Sequence, residues 1–242
     1  MVNGEGSRGV RGTHAEARAR MREGILRVGN VQLESRGAGA LSVREIAREL
    51  GVVSSAIYRH VADRDALLTL LVVDAFDDLG DAVDRALDSV SASGAEPRAA
   101  LAALARTMRE WALAHPQRWA LIYGTPIMGY AAPAEQTTVP GTRAMARLAG
   151  ILAAGSLPSD AVGSASSGLV DELRVSAEEL GLAPDPVLLA EGIGTWSSLV
   201  GTVSAEVFGQ LGTDLARYGA ELLDRWIAST SARFELGPAV LR

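Results

Sequence analysis

Apolar residues recur along most of this chain at intervals of three and four, the period of helices that bury one face. Strand-like alternation and internal repeats are both missing from the pattern, which therefore predicts an all-α protein. Over residues 13–36, Met21, Ile25, Val28 and Leu33 follow helical spacing while arginines occupy the other faces. Residues 1–12 are rich in Gly, Arg and Ser without an apolar period, and are expected to form a disordered basic arm. Gly37 and Gly39 interrupt the first helix.

Ser42 and Glu45 then form a capping-box pattern, in which the serine oxygen accepts from the amide three residues on and the glutamate reaches back to the serine amide. Val43, Ile46, Ala47 and Leu50 supply one apolar face, and Gly51 suits a left-handed turn just past the helix end. A second short helix follows three residues later, with Ile57 and Val61 inward. Asp63 is the expected N-cap of a long fourth helix starting at Arg64, with Asp65 favourable in its first turn. The helical pattern continues from there with breaks at residues 91–96, 124–141, 155–160 and 181–186. The segment 124–141 holds Pro126, Pro133 and Pro140, and its length marks it as a functional cover or a mobile segment. The expected organisation is an arm over 1–12, a helix-turn-helix domain over 13–63 and a larger helical domain over 64–242.

Composition narrows the function. The absence of cysteine excludes disulfides and thiolate metal sites and is suited to a reducing cytosol. No apolar run follows the N-terminal arginines as a secretion leader requires, and the most apolar stretch, residues 67–73, is far short of the roughly 20 needed to span a bilayer. A soluble cytoplasmic protein without a membrane partner is expected. Net charge is −6, yet residues 1–62 carry ten arginines against six glutamates, so a basic head sits on an acidic body. Positive charge of that kind is what phosphate binding needs. All the basic residues are arginine, which chiefly reflects genome composition.

Two short helices joined through a glycine match the geometry that presents one helix to a DNA major groove, and the same shape also serves protein-binding modules. Residue content favours DNA. With Ile57 and Val61 inward, Ser54, Ser55, Ala56, Tyr58, Arg59 and His60 form the tip and flanks. Small residues admit base edges, Tyr58 and His60 can donate to phosphates, and Arg59 can fork onto guanine O6 and N7. Ser42 and Arg44 open the preceding helix, with Arg44 able to reach the same groove, and Arg64 offers charge and a free amide to a phosphate.

In the body, Met108, Trp111, Trp119, Tyr123, Met128 and Tyr130 concentrate aromatic and polarizable surface around a helix pair and the mouth of the long loop. This suits an apolar ligand pocket with a few polar handles, against the plainer alternative of an ordinary core. Histidines at 14, 60 and 115 only leave no metal triad, and a capping or hydrogen-bonding role fits His115 beside Pro116. Asp74, Asp77, Asp81, Asp84 and Asp88 line one helical face, read as solvated rather than cation-binding. Late helices over 186–211 and 213–229 mix Gly192, Gly194, Gly201 and Ala205 with larger apolar residues, as helices that pack against a two-fold copy do. No cofactor, nucleophile-base constellation or phosphate loop is indicated, so an enzyme is the weakest reading.

The string LSVREIARELGVVSSAIYRHVADRDALL, residues 41–68, closely resembles the N-terminal domain of the tetracycline-repressor (TetR) family of regulators. The matching features are Ser42, Ile46-Ala47, Gly51-Val52, Tyr58-Arg59-His60 and the charged step before Ala66-Leu67-Leu68. Val53 stands where that family usually has a polar residue opening the recognition helix, which shifts the expected cap to Ser54; Val61 stands where it has an aromatic, and Arg64 where it has lysine. The resemblance implies a C-terminal domain that binds a small molecule and dimerises, and hence a homodimeric repressor of a palindromic operator. Trp111, His115, Trp119, Tyr123 and Gly124 resemble a regulatory subclass of WHG type in their spacing, as do Trp196, Phe208 and Gly209, although Val200 replaces an expected histidine. The alternative is a helical ligand-binding or protein-interaction module without specific DNA recognition.

Overall fold

The computed structural model describes residues 6–157, 166–179 and 186–237, and these contain helices, turns and coil without a strand. In chain order the helices are α1 (Gly6–Arg36), α2 (Val43–Glu49), α3 (Ser54–Tyr58), α4 (Arg64–Ala92), α5 (Pro97–Ala114), α6 (Pro116–Tyr123), α7 (Ala134–Leu152), α8 (Ser167–Glu179), α9 (Pro186–Val207), α10 (Gly212–Ala216) and α11 (Gly219–Arg233), with a 3-10 turn at Ala38–Ala40. The protein is all-α, as its apolar period requires.

Two buried clusters organise these helices. In the head, Ile25, Val28 and Leu33 of α1 meet Ile46 and Ala47 of α2, Ile57 of α3 and Leu67, Leu68 and Leu71 of α4. In the body, Ala75, Leu79 and Val83 of the same α4 join Leu101, Leu104 and Met108 of α5, Trp119 of α6, Leu148 and Leu152 of α7, Leu199 and Val203 of α9 and Leu223 and Ile227 of α11. Helix α4 is thus shared: its first turns complete the head core and its next turns enter the body core.

Asp63 caps α4 as expected, its Oδ1 accepting from the Ala66 amide at 2.8 Å. Asp63→Ala should cost about 1 kcal/mol, a fall in Tm of roughly 2–4 °C for a chain of this size, read by circular dichroism on heating.

Several boundaries differ from the sequence expectation. Helix α1 begins at Gly6, so the part of the basic arm from residue 6 onward is helical, while residues 1–5 lie outside the described residues. Extending an existing helix costs far less than nucleating one, so a sequence without an apolar stripe can still follow. The loop expected over 124–141 ends early, because α7 starts at Ala134 and carries Pro140 inside it. The hydrogen bond that Pro140 cannot donate is offset by packing of Ala144, Leu148 and Leu152, and by arginines that tie α7 to α4. The two late helices are three: positive φ at Gly209 and Gly212 closes α9 and sets off the short α10 before α11.

The aspartate face of α4 is solvated in part and in part an ion-pair ladder. Arg143 of α7 reaches Asp81 at 2.7 Å and also bridges to Asp84, whose other oxygen takes Arg147 at 2.6 Å. Gly80 is buried beneath the Arg143 side chain, where a Cβ would stand 2.8 Å from Arg143 Cδ. Asp77, Asp81 and Asp88 remain exposed.

Candidate functional site

The helix-turn-helix is built by local capping and one buried polar group. Ser42 Oγ accepts from the Glu45 amide at 3.3 Å, which is half of the expected capping box. The other half is replaced. The Ser42 amide donates to Oε1 of Gln32, a buried α1 residue, at 3.1 Å, and the Glu45 carboxylate pairs with Arg36 at 2.7 Å. The Arg36 hydrogen bond and charge hold the Glu45 carboxyl below the usual carboxylate range. Gln32 was not singled out from the sequence, although a polar residue in the 25, 28, 32 apolar stripe is a readable sign of a buried hydrogen bond.

Gly51 adopts φ 66°, the left-handed turn its position implied, and the Val52 amide bonds back to the Ala47 carbonyl at 3.0 Å. Val53, not Ser54, is the residue before α3, and it supplies no side-chain cap, so Ser54 is the first helical position. The extended Val53 backbone already aims the chain into the helix, which leaves the Ser54 hydroxyl outward. Ile57 and Val61 are buried, while Ser54, Ser55, Tyr58, Arg59 and His60 are exposed and Ala56 is half-buried. Arg44 is exposed at the start of α2. Among the described residues neither Arg44 nor Arg59 has an ion-pair or hydrogen-bond partner, so both guanidiniums present their full set of donors to solvent. Arg64 is different: its guanidinium donates to the Ala38 carbonyl at 3.0 Å and pins α4 to the 3-10 turn. Ser42 is likewise engaged as a cap.

The six residues expected to line an effector pocket divide into two groups. Met108 and Trp119 are fully buried in the body core and Trp111 nearly so, with Tyr123 packed against them. Trp119 donates from Nε1 to Ser204 Oγ at 3.0 Å. Tyr123 sits among three aromatic rings, from Trp119 at 4.5 Å, Phe76 at 5.9 Å and Trp196 at 6.1 Å between centroids. Its hydroxyl is buried without a partner among the described residues, and burial pushes its phenol above the ordinary tyrosine range. Met128, in contrast, is 98% exposed, and Tyr130 packs toward the head core with its hydroxyl 3.1 Å from Thr69 Oγ1. The loop between α6 and α7 runs along the seam between head and body, because Ile127 and Tyr130 find apolar partners on the head. It therefore does not carry Met128 over the aromatic cluster. Phe76 and Trp196 complete that cluster and lie too far from it in the chain for local spacing to reveal.

A polar network crosses the same seam. Arg118 of α6 is buried, donating from Nη1 to Asp78 at 2.6 Å and from Nη2 to the Asp74 carboxylate at 2.9 Å. Asp78 also accepts from Trp111 Nε1 at 3.0 Å, and Asp74 from Asn30 Nδ2 of α1 at 2.9 Å. The Arg118 guanidinium lies 5.3 Å from the Trp111 ring centroid, a cation-π distance. His115, at the α5–α6 junction, meets the Trp111 ring at a tilt of 57° and places Nδ1 4.0 Å from Glu34. Among the described residues no group of three His, Cys, Asp or Glu is placed to hold a metal ion.

Comparison with known proteins agrees with this division. Residues 25–71 match the family described as bacterial regulatory proteins, tetR family, and residues 101–230 match the tetracyclin repressor-like C-terminal domain. The chain belongs to the tetR family of regulators. It is 40% identical over 210 residues to the HTH-type transcriptional regulator Rv1816 of Mycobacterium tuberculosis, an alignment covering 84% of this chain and 88% of that one. The HTH-type transcriptional regulator Mb1846 of Mycobacterium bovis matches equally. The crystal structure of the protein SCO4313 superposes with a TM-score of 0.71 at 31% identity, covering 90% of this chain and 98% of its own. A Rhodococcus protein of unknown function gives 0.59 at 26%, covering 86% and 94%. The tetR-family match makes the protein a DNA-binding transcriptional regulator and not an enzyme. Among the described residues no helix is long and apolar enough to cross a membrane.

Proposed function

We propose that this tetR-family regulator is a cytoplasmic repressor that binds a palindromic operator as a homodimer and is released by a small apolar or amphipathic effector. One observation carries the reading: α6 touches both cores. Trp119 and Tyr123 point its inner face into the body, Leu121 packs against the head cluster, and Arg118 grips α4. A compound that displaces the inner face of α6 must therefore move the seat of α4, and with it the head.

Arg59 and Arg44 are the residues that read bases in this scheme, with Ser54, Ser55 and Ala56 allowing close approach and Tyr58 and His60 positioning the head on phosphates. Dimerisation falls to α9 and α11. A cleft of about 390 Å³ lined by Gly201, Ala205 and Leu222 opens on these two helices, and Phe208, Leu215 and Tyr218 lie exposed in the segment that joins them. A two-fold pair would set the recognition helices about 34 Å apart, one per successive major groove. An effector that favours the released state 100-fold weakens operator binding by about 2.7 kcal/mol.

Selection of bound fragments from random DNA tests the proposal. The expected result is an enriched palindrome with two half-sites. Failure to enrich any sequence at physiological salt refutes specific recognition and favours an interaction module instead.

A further inference from the structure

One apolar side chain at the start of α3 is not explained by packing. Val52 packs against the head core, Ile57 is buried within it and Ala56 is half-buried, whereas Val53, the residue immediately before the helix, is 71% exposed. It is the most exposed large apolar side chain of the head among the described residues. A lone exposed valine is ordinary on a protein surface. This one also holds the N-cap position, where serine, threonine, asparagine or aspartate would accept from an amide of the first turn and where valine is among the poorest choices. Val53 makes no side-chain cap bond, and the Ala56 amide bonds back to its carbonyl at 2.9 Å. The same chain caps α2 with Ser42 and α4 with Asp63, so α3 is the exception among the three. Two local preferences broken at one exposed position mark a contact made outside the chain.

We propose that Val53 is a specificity-determining residue that reads the C5 methyl group of one thymine in each operator half-site. The proposal rests on the reading of α3 as the DNA-reading helix. In a helix-turn-helix the N-terminal residues of the second helix meet base edges in the major groove. The thymine methyl is the one methyl group that the four base pairs present there, and an aliphatic side chain recognises it by excluding water from both surfaces. The valine side chain has neither donor nor acceptor, so a phosphate oxygen or a base amino group gains nothing from it. Branching at Cβ fixes its rotamer, so its two methyls are presented with little freedom left to lose. A tip whose other exposed residues, Ser54, Ser55, Tyr58, Arg59 and His60, are all polar or hydrogen-bonding thereby acquires a means of detecting a methyl group that no donor provides.

The operator recovered by selection supplies the probe. Each thymine of a half-site is replaced in turn by deoxyuridine, which removes the methyl and leaves every hydrogen-bonding group in place, and affinity for the full chain is measured by fluorescence anisotropy. At one thymine the replacement should weaken binding roughly 2- to 4-fold, the effect of one buried methyl, and about 4- to 16-fold when made in both half-sites. Val53→Ser should bring that thymine-to-uracil ratio close to unity, while Val53→Thr, which keeps one methyl, should retain part of it. Because position 53 is exposed and serine caps a helix better than valine, the melting temperature of Val53→Ser should hold or rise. If the serine variant nevertheless fails to fold, the partial loss in Val53→Thr carries the same test. The ratio, unlike affinity itself, does not move when the head is merely weakened. Equal affinities for thymine and uracil at every position, or a ratio that survives in Val53→Ser, overturn the assignment and leave operator recognition intact. Failure to select any operator removes the reading of α3 and the proposal with it.

Discussion

Arg59→Ala is expected to remove about 2–6 kcal/mol of operator affinity from a dimer, because each copy loses a bidentate guanine contact of roughly 1–3 kcal/mol. The exposed, unpartnered guanidinium at the end of α3 is free to make that contact, while the Ile57 and Val61 anchors beside it are untouched by the substitution. Folding should therefore be unchanged. Fluorescence anisotropy on the selected operator and on a scrambled duplex separates the two parts of the effect. Affinity for the operator should collapse toward that for the scrambled duplex, whereas the scrambled value should fall only slightly, by one phosphate-scale charge. Full retention of sequence preference would show that α3 does not read bases through Arg59, and would move the assignment to Arg44.

Arg118→Ala should cost about 3 kcal/mol of stability, seen as a fall in Tm of roughly 6–12 °C. Removing the guanidinium strands Asp74 and Asp78 and leaves Trp111 with a single carboxylate partner that has lost its own counter-charge. The figure is at the low end of the range for a broken buried pair because the Asp78 side chain is 44% exposed and water can replace part of what is lost. The same change uncouples α6 from α4. A compound bound in the body should still bind, yet should no longer weaken operator binding to the same degree, so the coupling measured with and without it shrinks. Arg118→Lys, which keeps the charge but not the fork, should recover part of the stability and little of the coupling. A variant that melts normally would show that the network contributes nothing measurable.

Much of the head was legible before its structure. The Ser42 and Asp63 caps, the left-handed Gly51 and the inward Ile57 and Val61 all depend on interactions a few residues apart. The exposure of Tyr58, Arg59 and His60 follows directly from that register. Where the reading failed locally, a distant residue had intervened: Gln32 takes the Ser42 amide that Glu45 was expected to serve, and Ala38 takes a donor of Arg64.

In the body the sequence showed which residues are aromatic and apolar but not which of them meet. Trp119 and Tyr123 are one helical turn apart and had to be neighbours, whereas Phe76 and Trp196 join them from helices far away in the chain. Met128 and Tyr130 were grouped with the cluster on proximity in sequence, and the loop instead follows apolar partners on the head. The α4 aspartates were visible as a stripe, but whether the stripe met water or arginine depended on where α6 and α7 came to rest.

By itself, then, the sequence determined the all-α class, the Ser42 and Asp63 caps, the inward face of the head helices and the family to which the chain belongs, because these rest on periodicity and contacts within a turn or two. Only the tertiary structure decided that α6 joins both cores, that Arg118 ties it to α4, and that the Tyr123 hydroxyl is buried without a partner among the described residues. Such pairings form when loops of tens of residues close, and a charge or hydroxyl takes whichever partner the packed helices bring within reach.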